Sequence, residues 1–425
     1  MIKKKWVAYS VTHFFCNNNT KMKLFKSIII AALAVMLTPS CCSQPKAKYV
    51  FLFIGDGMGF GAVSVTETYL AQAESEDAIG MGQLAFSSFP VMGAAATFSA
   101  DHQRTDSAAG GSALASGEKV NNSSICIAPS GDTLKSIAYK IHDSGYKVGI
   151  MATVCIDHAT PAAFFGRNED RGNYYEIGSQ LGETGFEYFG GGDFNRPDQA
   201  QPDCFAKAEA AGYSIAYGRE DFAEKKGADK VIFFQKRDTA RATNQLPTRL
   251  ERLQRNNPDD LTLAELVSGA IDCLDNQKGF FMMAEGSMID WAAHSNDLPG
   301  MINETIDMSD AIEVAMEFYR KHPKNTLIVV TADHETGGPA CNKPKLNKVK
   351  SMCEPSGDTN VDNYMSGENN KAVISQEAGI GWTSGSHTAD RVPVYAIGAG
   401  SEKFSGELDN TDIPRKICEA MGIIF

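Results

Sequence analysis

The chain has 425 residues, 43% hydrophobic and 22% charged, a balance that supports a buried core and excludes global disorder. Its 40 Lys+Arg against 52 Asp+Glu give a formal charge of −12. No broad basic footprint exists for a nucleic-acid partner, although bound cations can still make an acidic chain receptive to phosphate.

The first 41 residues carry Lys3, Lys4, Lys5, Lys21, Lys23 and Lys26 and no acid, so the rest of the chain has a charge of −18. An apolar run, Ser27 to Leu37, follows Lys26 and leads into Thr38-Pro39-Ser40-Cys41-Cys42. A charged start, a short apolar run and a small residue describe a secretory signal over residues 1–41. The run falls well short of the roughly 20 residues that span a bilayer. Met22 can serve as a start, which makes 1–21 an upstream extension; the other reading is a long charged leader. Cys41 or Cys42 resembles the lipoprotein box of exported bacterial proteins, although Thr-Pro-Ser before Cys41 departs from that box. The expected location is therefore periplasmic, or tethered to a membrane through a diacylated cysteine. Export permits disulfides. Cys341 and Cys353 flank a polar loop and form the first candidate pair, while Cys155 in an apolar pattern reads as a buried free thiol.

Tyr49–Ile54 reads as a strand running into Gly55-Asp56-Gly57. Thr105 to Gly117 is rich in small residues, and the pattern predicts a helix opened by Ser107 as its N-cap. An amphipathic stretch, 132–143, precedes a strand at Lys147–Val154. Thr262–Leu274 has helical spacing, with Thr262 and Glu265 placed as a capping box. A strand at 279–284 leads into Glu285-Gly286, and a helix is expected over Glu304–His322. The strand Thr326–Ala332 leads into Asp333-His334, and a last one lies at Val392–Gly398. Residues 341–380 differ: they are rich in Lys, Asn, Gly and Ser, and Lys343, Lys345, Lys348 and Lys350 form a basic stretch. They read either as a loop over a site mouth or as a solvated surface insertion. Strands alternating with helices argue for an α/β sheet covered on both faces, and wholly apolar strands are the mark of buried parallel ones.

Acids and histidines recur just after these strands: Asp56, then Glu285 with Asp290 and His294, then Asp333 and His334, then His387 before the last strand. Ligands of open α/β sheets bind beyond the carboxyl ends of the strands, so these groups can converge. Imidazole and carboxylate are zinc donors. Asp290 and His294 are four apart, which puts both on one face of a helix. The donors outnumber what one ion needs, so two or three metals are expected. The bland reading, scattered surface acids and satisfied histidines, fits each residue alone but not the set. Ser107 at a helix start beside a divalent metal has the chemistry of a nucleophile toward phosphorus.

The ordered motifs carry a resemblance. Phe53-Ile-Gly-Asp-Gly-Met-Gly59, Thr105-Asp-Ser-Ala-Ala109, Asp157-His-Ala-Thr-Pro-Ala-Ala163, Glu285-Gly-Ser-Met-Ile-Asp290, Thr331-Ala-Asp-His-Glu335 and Gly385-Ser-His387 resemble those of alkaline phosphatases, over roughly residues 48–400. The resemblance implies a three-layer α/β/α domain over 45–425 with a large, mostly parallel central sheet, carrying a surface insertion at about 341–380. It implies hydrolysis of phosphate monoesters through a phosphoseryl intermediate on Ser107. Asp290, His294 and His387 match the ligands of a first Zn2+, and Asp56, Asp333 and His334 those of a second. Asp56, Thr160 and Glu285 match a third site, usually Mg2+, with His158 beside it. Arg171, eleven residues after Thr160, matches the phosphate-gripping arginine, with Arg167 as its competitor. The family is commonly dimeric, and its partners are small phosphate monoesters rather than nucleic acid. His158 stands where some members have Asp, which leaves the identity of the third metal open, and Trp291 where others have Lys or His. A phosphodiesterase of the same superfamily and a noncatalytic phosphate- or zinc-binding protein are the competing readings.

Overall fold

The computed structural model describes residues 46–75, 77–195, 202–239, 241, 243–354 and 368–425. The export segment, with Cys41 and Cys42, and residues 355–367 of the insertion lie outside them. Among the described residues, ten strands build the main sheet. In chain order they are β1 Tyr49–Gly55, β2 Val91–Ala96, β3 Lys147–Ala152, β4 Tyr188–Gly191, β5 Ser214–Tyr217, β6 Val231–Phe234, β7 Phe280–Gly286 and β8 Thr326–Thr331, then β13 Val392–Gly398 and β14 Gly406–Asp409. Between the last two groups lie four two-residue strands, β9 Glu335–Thr336, β10 Ala340–Cys341, β11 Ile380–Gly381 and β12 His387–Thr388. The sheet order is β14-β2-β13-β8-β1-β7-β3-β4-β6-β5. All neighbours run parallel except β13, which is antiparallel to both β2 and β8. The mostly parallel α/β sheet expected from the sequence is present, and the described residues belong to one compact unit, Pro45–Phe425.

The central strands are apolar because both faces are covered: every residue of β1, β7 and β8 is buried. Phe51 and Phe280 meet edge-on with ring centroids 5.2 Å apart, and Phe318, from the helix Leu298–Lys321, packs on both. Full burial of one such side chain contributes about 1.5–3 kcal/mol. That helix starts six residues before the predicted Glu304, because Asp297 caps it and Pro299 fits its first turn. The helix Leu263–Leu274 has the Thr262/Glu265 capping box that its sequence predicts.

Register fixes the site. Ile54 lies opposite both Glu285 on β7 and Thr331 on β8, and Glu285 lies opposite Ala152 on β3. Asp56, Glu285 and Asp333 therefore leave three adjacent strands at one level of the sheet.

The start of the polar insertion is anchored by a few apolar side chains, while Asn342, Lys343, Lys345 and Lys348 are exposed. Leu346, Val349 and Cys353 are buried, and Leu346 N donates to Gln72 Oε1 on the helix Phe60–Glu74. Cys341 and Cys353 are both free thiols, one exposed and one buried, so that candidate disulfide does not form; Cys155 is free and buried, as its pattern predicts. Among the described residues no helix is long and apolar enough to cross a membrane.

Candidate active site

The site is built on the carboxyl ends of β1, β7 and β8. Asp56, Glu285, Asp333 and His334 are fully buried there, and Asp290 nearly so. Gly57 makes the turn after β1 possible: its φ is 72°, and a Cβ would sit 2.8 Å from Thr336 Oγ1 and 2.9 Å from the Asp290 backbone. Gly110 lets the helix Ser107–Ser116 press against β8, since a Cβ there would meet the Asp333 carbonyl at 2.7 Å.

Ser107 is not the cap of that helix. Asp106 is, its side chain accepting from Ala109 N, and Ser107 is the first helical residue. The local competition is won by the residue one position earlier, which releases the serine hydroxyl. Ser107 is 2% exposed, and its Oγ lies 3.2 Å from His334 Nε2.

The imidazoles are oriented by groups that fix their tautomers. His294 Nδ1 lies 2.9 Å from Gly385 O, and His387 Nδ1 lies 2.8 Å from Thr105 O. A carbonyl can only accept, so each Nδ1 carries a proton and Nε2 is the atom each ring can offer to a metal. Those Nε2 atoms stand 3.5 Å and 3.6 Å from the same oxygen, Asp290 Oδ1. Thr336 donates to Asp290 Oδ1 at 2.6 Å, so its oxygen accepts from His334 Nδ1 at 3.2 Å. His334 Nε2 then faces Asp56 Oδ1 and Asp333 Oδ2, each at 3.3 Å. Burial, then His387, pushes the His334 pKa down to about 3, so this ring is neutral.

Lone pairs facing carboxylates call for a cation between them. Asp56 Oδ1 and Oδ2, Glu285 Oε1 and Oε2, Asp333 Oδ2 and Thr160 Oγ1 are buried with no hydrogen-bond partner among the described residues, a costly arrangement for a folded chain unless an ion compensates it. Asp333 Oδ1, by contrast, is satisfied by Gly57 N and His334 N. Among the described residues three groups have donor atoms all within 4.8 Å of one another: Asp290, His334 and His387; Asp56, Asp333 and His334; and Asp56, His158 and Glu285. The first two sets, with His334 in both and His387 in one, suit zinc. The oxygen-rich corner of Asp56, Glu285 and Thr160 suits a harder ion such as magnesium. Without cations, burial and the facing carboxylates raise the Asp56 pKa well above its usual value, and burial raises Glu285 to about 8. His294 is exposed at the rim, with ring centroids 4.9 Å from His387.

Arg171 is brought to the nucleophile by Asp106, whose Oδ2 accepts from its Nη1 at 3.1 Å, while Nη2 lies 3.3 Å from His158 Nε2. Arg167 is exposed and lies on a separate surface depression beside Tyr139. His158 Nδ1 is buried without a hydrogen-bond partner among the described residues, and its ring meets Trp291 edge-on at 6.2 Å. His102 is exposed and caps its own turn, accepting from Arg104 N.

Sequence reasoning missed Thr336 and the anchoring role of Asp106. Both carry a local signal, Asp106 as the polar residue directly before a helix and Thr336 two residues after His334. The orienting carbonyls of Thr105 and Gly385 leave no signal, because any residue supplies a carbonyl.

The family model described as alkaline phosphatase matches residues 47–185 and 239–423. Alkaline phosphatase 4 of Bacillus subtilis (strain 168) is 32% identical, with 88% of this chain and 89% of that protein covered. Alkaline phosphatase 3 of the same organism is 29% identical, covering 94% and 96%. Among solved structures, a histidine-to-glutamate variant of the TAB5 alkaline phosphatase, with Mg bound in its M3 site, has a TM-score of 0.72 and 29% identity. The match covers 90% of this chain and all of that one.

Proposed function

This chain belongs to the alkaline phosphatase family and is a metal-dependent phosphoric monoester hydrolase, and we propose that Ser107 is its nucleophile. The observation that carries the proposal is the Ser107 hydroxyl, freed by the Asp106 cap and aimed at His334 Nε2 among buried, unpartnered carboxylates. Asp290, His294 and His387 would hold one Zn2+, Asp56, Asp333 and His334 a second, and Asp56, Thr160 and Glu285 with His158 an Mg2+. Such cations, when bound, lower the proton affinity of serine and water and neutralise phosphoryl charge.

The protein's own part is positioning. Arg171, pinned by Asp106, offers guanidinium N–H groups to the phosphoryl oxygens beside Ser107. The N-terminal end of the helix Ser107–Ser116 adds a positive dipole end. Ser107 Oγ gives up its proton and attacks phosphorus, the P–O bond to the alcohol breaks, and the leaving oxygen takes up a proton and departs as the alcohol. Water then attacks the phosphoserine, the Ser107 Oγ–P bond breaks, a proton from the water returns to Ser107 Oγ, and inorganic phosphate departs. Acid quenching during turnover, followed by peptide mass analysis, tests this. Phosphate on the Ser107 peptide is expected, and phosphate elsewhere or nowhere would count against it.

Export, a lipid tether at Cys41 or Cys42 and a homodimer belong to the same proposal. The signal-like segment supports the first two and family membership the third. The mass of the mature N-terminus and the mass of the native particle decide them.

A further inference from the structure

A cleft of about 480 Å³ lies against the active-site helix Met288–His294. Met288, Trp291, Ala292 and Ser295 line it, and their spacing of i, i+3, i+4 and i+7 is one stripe of that helix. Asp290 and His294 lie on the adjoining face, about 100° around at 3.6 residues per turn. One short helix therefore presents metal donors on one side and an apolar wall on the next. The opposite wall includes Leu250 and the loop ahead of it, whose Leu246 N donates to Thr153 O at the end of β3. Thr153 Oγ1 in turn accepts from Ser287 N, so the cleft and the catalytic residues share one edge of the sheet.

One feature suits the cleft to a flat ring. Trp291 is 41% exposed, unusual for so large an apolar side chain beside a buried site, and its indole forms part of the wall. Arg241, also on the wall, has a side chain only 10% exposed. Its Nη1 donates to Gln245 O and its Nη2 to Glu251 Oε2, which fixes that part of the wall. Lys371, from the helix Glu368–Glu377 of the insertion, closes one end beside Asp297. A volume of this size with an apolar lining and a few fixed polar groups is that of a small-molecule site.

We propose that this cleft is a subsite for the alcohol half of the substrate and that it selects monoesters whose alcohol carries a planar aromatic ring, stacked on Trp291. The proposal rests on the monoesterase reading of the adjoining site. The probes are adenosine 5′-phosphate and ribose 5-phosphate, which share a primary 5′ leaving oxygen and differ in the ring. Base–aromatic stacking contributes about 1–3 kcal/mol, so kcat/KM for the adenosine ester should exceed that for the ribose ester at least about fivefold in the metal-loaded wild type. The ratio should fall toward one in Trp291→Ala and be largely kept in Trp291→Phe, whatever either change does to the absolute rates. A defect in metal or phosphate binding would slow both esters alike and leave the ratio unmoved. A wild-type ratio near one, or one unchanged in Trp291→Ala, would overturn the subsite. Failure of wild type to hydrolyse either ester would instead overturn the monoesterase reading beneath it.

Discussion

Thr336 Oγ1 donates to Asp290 Oδ1 at 2.6 Å and accepts from His334 Nδ1 at 3.2 Å. One hydroxyl thereby couples the donor set from the helix Met288–His294 to the set at the end of β8. Thr336→Val keeps the shape and removes both hydrogen bonds. Loss of such an orienting partner typically weakens metal affinity about 10–100-fold. Zinc titration of the chelated variant against wild type should show that loss with little change in fold. Equal zinc affinity would mean that the hydroxyl orients nothing.

Arg171 is fixed by Asp106, the residue before the nucleophile. Arg171→Lys keeps the charge but loses the planar fork that can reach Asp106 and a phosphoryl oxygen together. Two charge-assisted hydrogen bonds are at stake, each about 1.5–3 kcal/mol, so kcat/KM should drop at least about 10-fold and product phosphate should inhibit less. Steady-state rates with and without added phosphate check this. Inhibition unchanged in the variant would put the phosphate elsewhere.

His158 offers the third site an imidazole alongside Asp56 and Glu285. His158→Asp replaces it with a third carboxylate, the donor type that magnesium prefers. Magnesium should then protect the variant against heating at lower concentration than it protects wild type. A thermal melt with graded magnesium decides it, and identical curves would place His158 outside the metal's reach.

Strand and site were legible to different depths. β1, β7 and β8 stood out because both of their faces are buried, which leaves wholly apolar runs. β2, Val91–Ala96, is half-exposed and built of small residues, and β5 is a four-residue edge strand, so neither has a run to read. The donors were legible because parallel strands end together, so acids just beyond them share one level. The N-cap was misread by one residue because Asp106 and Ser107 are both good caps, and backbone geometry chooses between them. The Cys341 and Cys353 pairing failed because spacing in sequence does not report direction: one side chain faces outward and the other into the core.

Burial raises Glu285 to about 8 and holds Asp56 and Asp333 above the usual carboxylate range in the metal-free protein. Between their unfolded pKa values and these raised ones, the folded state binds more protons than the unfolded state. Their contribution to the stability of the chelated protein is therefore complete only below the unfolded carboxylate range of about 4 and is lost as pH rises toward the raised values. Glu304, hydrogen-bonded to Arg249 N, is also raised to about 8 by burial and acts in the same direction. Restored metals should remove the part due to Asp56, Asp333 and Glu285 and leave that of Glu304. Melting temperatures across pH, chelated and metal-loaded, should diverge most at the alkaline end. Parallel curves would contradict a metal role for the buried carboxylates.

The central claim is that the freed Ser107 hydroxyl, among cation-demanding carboxylates, carries the chemistry. The direct measurement is p-nitrophenyl phosphate hydrolysis at alkaline pH by mature wild type and Ser107→Ala, each chelated and then given zinc and magnesium. Wild-type turnover should vanish on chelation, return with metal, and fall at least about 1000-fold in the variant, the scale on which loss of a nucleophile is felt. Metal-restored Ser107→Ala working at the wild-type rate would contradict the account.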